Sequence, residues 1–290
     1  MKESRENDAY LKGFLLPANI DVLTELGASV HRASVVIGVM PSRHARGLYT
    51  NMIPFVNHSV TFVSATKGIE NGTLLRMSQV IAEVTGAPKI AVLSGPTFAR
   101  EVARGEPAAV VVASLDQQVA ADIQKAFSGP TLRLYTNPDP IGVEVGAALK
   151  NVIAIAAGVC QGLGLGNNTM AALITRGLSE IARLAVAMGG ELKTLAGLAG
   201  LGDLVLTCSG DLSRNRRVGQ ELAKGRSIGE ITASTQMVAE GVETCGAAVD
   251  LGAKFGVDLP IIQQMHAVLH RGKSPRGALR DLMERSLKGE

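Results

Sequence analysis

Apolar residues follow two rhythms along this 290-residue chain, and the rhythm changes near residue 138. In the first part, short continuous apolar runs dominate. Val35-Val36-Ile37-Gly38-Val39-Met40 stops at Pro41-Ser42, Val60 to Thr66 forms a second run, and Ile90 to Ser94 a third, broken by Gly95-Pro96. Such runs predict strands covered on both faces, as in parallel sheets. Ala108 to Ala113 and Leu132 to Tyr135 are further strand candidates. Between the runs the spacing turns helical: Leu74, Leu75, Met77, Val80, Ile81 and Val84 end at Gly86, and Val119, Ile123 and Phe127 form a second amphipathic stripe. Strand alternating with helix predicts an α/β fold with a parallel or mixed sheet.

Asn137-Pro138-Asp139-Pro140 puts two prolines in three residues, a natural hinge. Beyond it the apolar spacing is helical almost throughout. Met170, Leu173, Ile174, Leu178, Ile181 and Leu184 recur at the helical period, with Asn168 or Thr169 as the expected N-cap and Gly189-Gly190 as the stop. The expected division is an α/β domain over residues 1–138 and an all-helical domain over 139–290.

Composition narrows the class. Hydrophobic residues make up 46% of the chain at a net charge of +3, which excludes disorder. Glycine numbers 33 of 290, above the average near 7%, and there is no Trp. Tight turns and close backbone approach to a ligand account for such an excess in α/β enzymes. The 29 basic and 26 acidic residues are too balanced for a nucleic-acid footprint. The longest uninterrupted apolar stretch near the middle, Val152 to Cys160, is short against the ~20 residues of a membrane span, so none is expected. No basic-then-apolar leader opens the chain. Cys160, Cys208 and Cys245 are far apart and odd in number, and read as reduced cytosolic thiols.

Candidate chemistry centres on isolated polar residues. Lys150 sits among Ala147, Ala148, Leu149, Val152 and Ile153 on a predicted helix. A lysine there has a partner, a depressed pKa, or snorkels at a helix edge. Lys67-Gly68 follows one strand and Ser94-Gly95-Pro96-Thr97 the next, where ligands of open α/β sheets bind. Thr97 can cap the helix that follows. Asp203, within Gly200-Leu201-Gly202-Asp203-Leu204, is a candidate partner for a buried lysine, or a helix cap or turn residue. Ser213-Arg214-Asn215-Arg216-Arg217 offers planar guanidinium forks suited to phosphate, or a solvated basic face. Two patterns mislead. Gly162-Leu163-Gly164-Leu165-Gly166 lacks a preceding strand and the G-x-G-x-x-G spacing, so a helix–helix connection is expected. His266 and His270 lack the Glu of a zinc-binding HExxH, and no metal is expected.

Taken in order, Ala65-Thr66-Lys67-Gly68, Ser94-Gly95-Pro96-Thr97-Phe98-Ala99, Leu149-Lys150-Asn151-Val152, Gly200-Leu201-Gly202-Asp203-Leu204, Ser213-Arg214-Asn215-Arg216 and Val238-Ala239-Glu240-Gly241 resemble the bacterial-type NAD(P)-dependent glycerol-3-phosphate dehydrogenases. The resemblance runs from about Arg5 to near the C-terminus. It implies a Rossmann-type dinucleotide domain, NAD or NADP as cofactor, and hydride transfer at C2 between dihydroxyacetone phosphate and sn-glycerol 3-phosphate, supplying glycerophospholipid synthesis. It implies Lys150 as proton acceptor, with Lys67 orienting the substrate oxygen and Asp203 holding Lys150. Gly95, Thr97, Ser213, Arg214 and Asn215 would line the substrate site. Lys67, Ala99, Arg214, Val238 and Glu240 would touch the cofactor. A cytoplasmic location and a homodimer are also expected.

The resembled family opens with a strand, a G-x-G-x-x-G loop, a helix and a second strand. None of these is found here, and Met1 to Ile20 resembles the loop segment after them, so an incomplete dinucleotide domain is expected. Two readings follow: an active enzyme whose start lies upstream, or a non-catalytic relative serving as an interaction module. A third is another two-domain dehydrogenase of 3-hydroxyacyl-CoA or 6-phosphogluconate type. Preference between NAD and NADP is not expressed in these residues.

Overall fold

A computed structural model describes residues 1–234, 239–287 and 289. The chain opens with a small antiparallel hairpin, β1 (Glu6–Asn7) and β2 (Leu11–Leu15), followed by α1 (Leu26–Val30). The sheet domain then runs β3 (Val35–Gly38), α2 (Ser42–Met52), β4 (Thr61–Ser64), α3 (Met77–Thr85), β5 (Ile90–Ser94), α4 (Ala99–Ala103), β6 (Ala108–Ala113), α5 (Gln117–Phe127) and β7 (Leu132–Asn137).

Strand order follows chain order, β3-β4-β5-β6-β7. The sheet is mixed: β3/β4, β4/β5 and β6/β7 pair in parallel, while β5 and β6 are antiparallel. The reversal has a length argument behind it. A five-residue helix such as α4 covers about 7.5 Å, whereas a crossover must retrace a strand of roughly 16 Å. One sheet face is packed by α2 and α3 around Tyr49, Phe62, Met77 and Ile81, and the other by α5 around Val63, Val112, Val119 and Ile123. Covering on both faces explains the continuous apolar runs.

Sequence periodicity missed α2. Its buried positions are Ser42, Ala45, Tyr49 and Met52, correctly spaced for a helix, but only two of them are large and apolar. The first strand ends at Gly38 rather than Met40, and Val39 is 74% exposed. A Cβ at Gly38 would lie 2.0 Å from the Tyr49 hydroxyl, so α2 seats against the strand through a position only glycine can fill.

The helical part begins at once. Asp139 caps α6 (Pro140–Gly162), its Oδ1 accepting from the Gly142 amide at 2.8 Å, while Oδ2 accepts from the Glu191 amide at 2.8 Å. Then follow α7 (Asn167–Ala187), α8 (Leu192–Leu195), a wide π-type turn over Leu198–Gly202, α9 (Asp203–Ser209), α10 (Arg214–Ala223), α11 (Ile228–Ala233), α12 (Glu240–Phe255), α13 (Pro260–His270) and α14 (Pro275–Met283). The α7 N-cap is Gly166, without a side-chain cap, not Asn168 or Thr169. The chain reverses at Gly164 (φ +75), so the helix is capped two to three residues sooner than the apolar stripe suggests.

The nine-residue apolar run was too short to suggest a membrane span, yet α6 is 23 residues long with a mean hydropathy of 1.6 over its most apolar window. By length and composition it could cross a membrane. Here it is the central helix of the core, with 20 residues buried and α7, α9, α10 and α12 packed around it. A helix apolar all round is buried somewhere; this one is buried in protein. Glycines let α10 come closest: a Cβ on Gly158 would lie 1.9 Å from the Arg216 carbonyl, and one on Gly219 1.9 Å from that of Ile155.

Candidate active site

Three charged side chains from distant parts of the chain meet where the carboxyl end of the sheet abuts α6. Asp203 is the first residue of α9 and 1% exposed. The turn before it brings Gly200 so close to Leu195 that an added Cβ would lie 2.1 Å from the Leu195 carbonyl oxygen. Lys150 donates from Nζ to Asp203 Oδ1 and, at 2.7 Å, to Thr207 Oγ1. Lys67, from the loop after β4, donates to the other oxygen, Oδ2, at 2.8 Å. Ser94 Oγ, at the end of β5, reaches the same Oδ2 at 3.5 Å. The Thr207 hydroxyl donates to the Asp203 main-chain carbonyl at 2.6 Å, which turns its lone pairs toward Lys150.

Two ammonium groups share one carboxylate, and this decides the electrostatics. Burial, and then the nearby Lys67 charge, push the Lys150 pKa well below its ordinary 10.5 despite the opposing pull of Asp203. Burial would raise the Asp203 carboxyl, but Lys67 and Lys150 outweigh it and hold it below the usual carboxylate value. The result is a lysine able to exchange a proton nearer neutrality, held by an anion that stays ionised.

A second cluster lies beside the first. Ser42 Oγ, at the start of α2, donates to Glu240 Oε2, at the start of α12, at 3.1 Å. Gly68 fits between them, since a Cβ there would lie 2.6 Å from Ser42 Oγ. Burial pushes the Glu240 carboxyl up, opposed by the Ser42 hydrogen bond and by the Arg214 charge. Arg43 and Glu243 form an ion pair alongside. Ala99 is exposed at the first turn of α4. Val238 lies outside the described residues.

The remaining expected residues divide. Gly95 takes φ +153, and a Cβ would meet Val110 Cα at 2.9 Å, so the close approach of β5 to β6 requires glycine. Thr97 does not cap α4. Its hydroxyl donates back to the Gly95 carbonyl at 3.2 Å, and the N-cap is Phe98. Ser213 caps α10, accepting from the Arg216 amide at 3.2 Å. Asn215 is buried as a bridge, donating to Asn151 Oδ1 and accepting from the Gly241 amide, both at 3.0 Å. Arg216 is turned into the fold, donating to Gln161 Oε1 (2.8 Å), the Ser209 carbonyl (2.9 Å) and Asp211 Oδ1 (3.0 Å). The arginine run is thus not one fork: Arg214 and Arg217 are exposed and Arg216 is a packing residue. Thr207 and Asn151 belong with the site but were not singled out. The Asp203-x-x-x-Thr207 spacing, one helical turn, was the signal for the first.

A dinucleotide fits this location in part. The carboxyl ends of β3, β4 and β5 form a rim with Lys67 on the loop after β4, and open α/β sheets bind dinucleotides at such a rim. The described chain carries no G-x-G-x-x-G loop for the pyrophosphate.

Sheet domain, buried central helix and a lysine–carboxylate–lysine centre between them define a two-domain dehydrogenase of Rossmann type. Comparisons make this specific. The model of the NAD-dependent glycerol-3-phosphate dehydrogenase N-terminus matches residues 1–120, and that of the C-terminus matches 139–280. A glycerol-3-phosphate dehydrogenase (NAD(P)+) of Koribacter versatilis is 55% identical over 97% of this chain and 85% of its own length. The crystal structure of glycerol-3-phosphate dehydrogenase from Coxiella burnetii superimposes with a TM-score of 0.95 at 38% identity, covering 98% of this chain and 87% of that one. That of the Saccharomyces cerevisiae enzyme gives 0.81 at 27% identity, covering 97% and 84%. The chain belongs to the NAD-dependent glycerol-3-phosphate dehydrogenase family. The expectation of a truncated dinucleotide domain finds no support in these comparisons.

Proposed function

We propose that this chain interconverts dihydroxyacetone phosphate and sn-glycerol 3-phosphate with NAD or NADP, feeding glycerophospholipid synthesis in the cytoplasm. The sheet domain, residues 1–138, would carry the dinucleotide, and the helical domain, 139–290, the substrate. The nicotinamide, when bound, accepts the C2 hydride in the oxidation and returns it in the reduction. Lys150 takes the C2 hydroxyl proton as the C2–O bond becomes a carbonyl, and gives it back in reverse. Lys67 directs its ammonium to the same oxygen. Asp203 keeps both lysines aimed and stays ionised. Gly95, Thr97, Ser213, Arg214 and Asn215 would line the substrate, Arg214 with an exposed guanidinium. Ala99, Val238 and Glu240 would complete the cofactor contacts.

The observation that carries this reading is the shared carboxylate: a buried lysine with a lowered pKa, paired through Asp203 to a partly open one. A homodimer fits the same reading, because Val186 and Leu192 leave an apolar groove open along α7 and α8. The direct test is Lys150→Met. Dihydroxyacetone phosphate-dependent oxidation of NADH or NADPH should fall by roughly 10²–10⁴-fold, the usual worth of a general base, in a chain that circular dichroism shows to be folded. Near-normal turnover would overturn the assignment. A wild-type chain that neither turns over nor binds NADH would favour the interaction-module reading.

A further inference from the structure

The segment that carries Lys67 is tied to the helical domain by contacts that lie outside the Lys67–Asp203–Lys150 centre. Residues 67–76 leave the end of β4 and return to α3. Ile69 is 2% exposed, and its side chain belongs to the apolar core of the helical domain, with Val145, Ala148, Leu149 and Val152, not to either core of the sheet. Leu74 packs on that core too, and does so at φ +60, a strained value for leucine that persists only where surrounding contacts fix it. An isolated antiparallel bridge between Ile69 and Arg76 closes the loop at its base. On the sheet-domain side, Glu70 is clamped by a two-pronged pair from Arg46 of α2, both contacts at 2.9 Å.

The last anchor is an ion pair. Arg76, buried at the N-cap of α3, donates from Nη1 to Oε2 of Glu144, itself buried on α6. Glu144 also accepts from the Ser78 amide and the Ser78 hydroxyl, each at 2.7 Å. Removing one partner of a buried, fully bonded pair strands the other. Lys150 lies six residues further along the same unbroken helix, about 9 Å along its axis. One rigid rod therefore holds both the proton-transfer lysine and the acceptor that fastens the strap carrying Lys67.

We propose that Glu144, with Arg76, is a positioning residue for the reaction, fixing the 67–76 strap on α6 and thereby setting the separation of Lys67 from Lys150. This rests on Lys150 as the proton acceptor. The charged groups bearing on Lys150 are Lys67 from the strap and Asp203 from α9, with the Cys208 thiol of α9 also near and kept protonated by burial. On the other helices packed around α6, Arg216 of α10 is paired to Asp211, Glu180 of α7 accepts from the Ile261 and Ile262 amides, and Glu240 of α12 is bonded to Ser42. Facing Glu144 are Arg76 and the buried Tyr49 hydroxyl. Among the described residues Lys67 is therefore the one like charge that depresses Lys150, and it is the group the strap controls.

The experiment is the pH profile of glycerol 3-phosphate oxidation in the full chain, for Glu144→Ala, Glu144→Gln and Ile69→Ala, well below each melting temperature. If the strap loosens, Lys67 retreats and Lys150 regains affinity for its proton. The acid limb then moves to higher pH, on the order of one unit for Glu144→Ala, which is about a tenfold loss of rate at a fixed pH below the limb. Glu144→Gln, which keeps one of the two acceptor oxygens, should shift it less, and Ile69→Ala, from an independent anchor, should shift it in the same direction. A merely structural role lowers the melting temperature and leaves the limb in place; that result, in Glu144→Gln and Ile69→Ala even if Glu144→Ala does not fold, overturns the proposal. Lys150→Met separates the two claims. If the wild-type limb survives in its residual activity, the proton-acceptor reading fails and this one with it. If the limb vanishes there yet stays fixed in the strap variants, only the positioning role fails.

Discussion

Lys67 and Lys150 occupy opposite oxygens of a single buried carboxylate, one lysine from the sheet domain and one from the central helix of the other. Asp203 thus joins the domains and sets the charge of the centre with the same two oxygens. Its removal leaves two ammonium groups facing each other with no counter-ion.

Asp203→Asn follows directly. It should destabilise the protein by about 3–5 kcal/mol, the usual cost of stranding one side of a buried pair. Urea unfolding monitored by circular dichroism measures it. A loss below about 1 kcal/mol would mean that solvent already screens the lysines.

The depressed pKa of Lys150 makes a stability prediction with a definite sign. Unfolded, the lysine holds its proton up to pH 10.5; folded, it releases it at lower pH. Between those values the unfolded chain binds more protons, so stability rises with pH. Comparing wild type with Lys150→Met at pH 7 and pH 9.5 isolates the effect: the wild type should gain stability relative to the variant at the higher pH. A gap that does not change would show that the lysine titrates at its ordinary value.

Helix contact makes two glycines in one domain behave oppositely. Gly158→Ala drives a Cβ into the Arg216 backbone, where no flexible side chain can yield, and should cost about 2 kcal/mol or more. Gly246, in the middle of α12, has nothing within 4 Å of an added Cβ, so Gly246→Ala should gain about 0.5–1 kcal/mol. Thermal melts of the two variants should move in opposite directions.

Arg214 and Arg216, two positions apart, should separate cleanly. Arg216→Ala removes contacts to Gln161, Ser209 and Asp211 and should lower the melting temperature. Arg214→Ala should leave the melt unchanged and raise KM for dihydroxyacetone phosphate at least tenfold. Equal KM effects from both would mean that Arg216 turns outward when substrate binds.

Much of this was legible in the chain, for identifiable reasons. Ile90–Ser94 and Ala108–Ala113 appear where continuous β-branched and small apolar residues put them, because both faces of the sheet are covered. For the Lys150–Asp203 contact, 53 residues apart in sequence, local chemistry offered Asp203 as a candidate partner of a buried lysine, beside a cap or turn, and the family resemblance implied the pairing. What stayed hidden depended on tertiary context. α2 carries its apolar face on few large residues, so periodicity could not raise it. The direction of β6 depended on the length of α4. Thr97 looked like a cap because the helix begins one residue later than its hydroxyl could serve. Arg216 lay in a run that offered phosphate forks or a solvated basic face, and nothing local tells a guanidinium turned inward from one turned outward. Ile69 gave no sign that a residue beside the sheet completes the core of the other domain.

The enclosure of α6 also bears on how this sequence can drift. An ordinary surface helix has one face held by packing and another open to substitution, so tolerance along it rises and falls with the turn. A helix touched on every side has no open face, and tolerance along 142–160 should be a flat band without that rhythm. Relatives would then diverge around this segment while it stays nearly fixed, its neighbours adjusting to it.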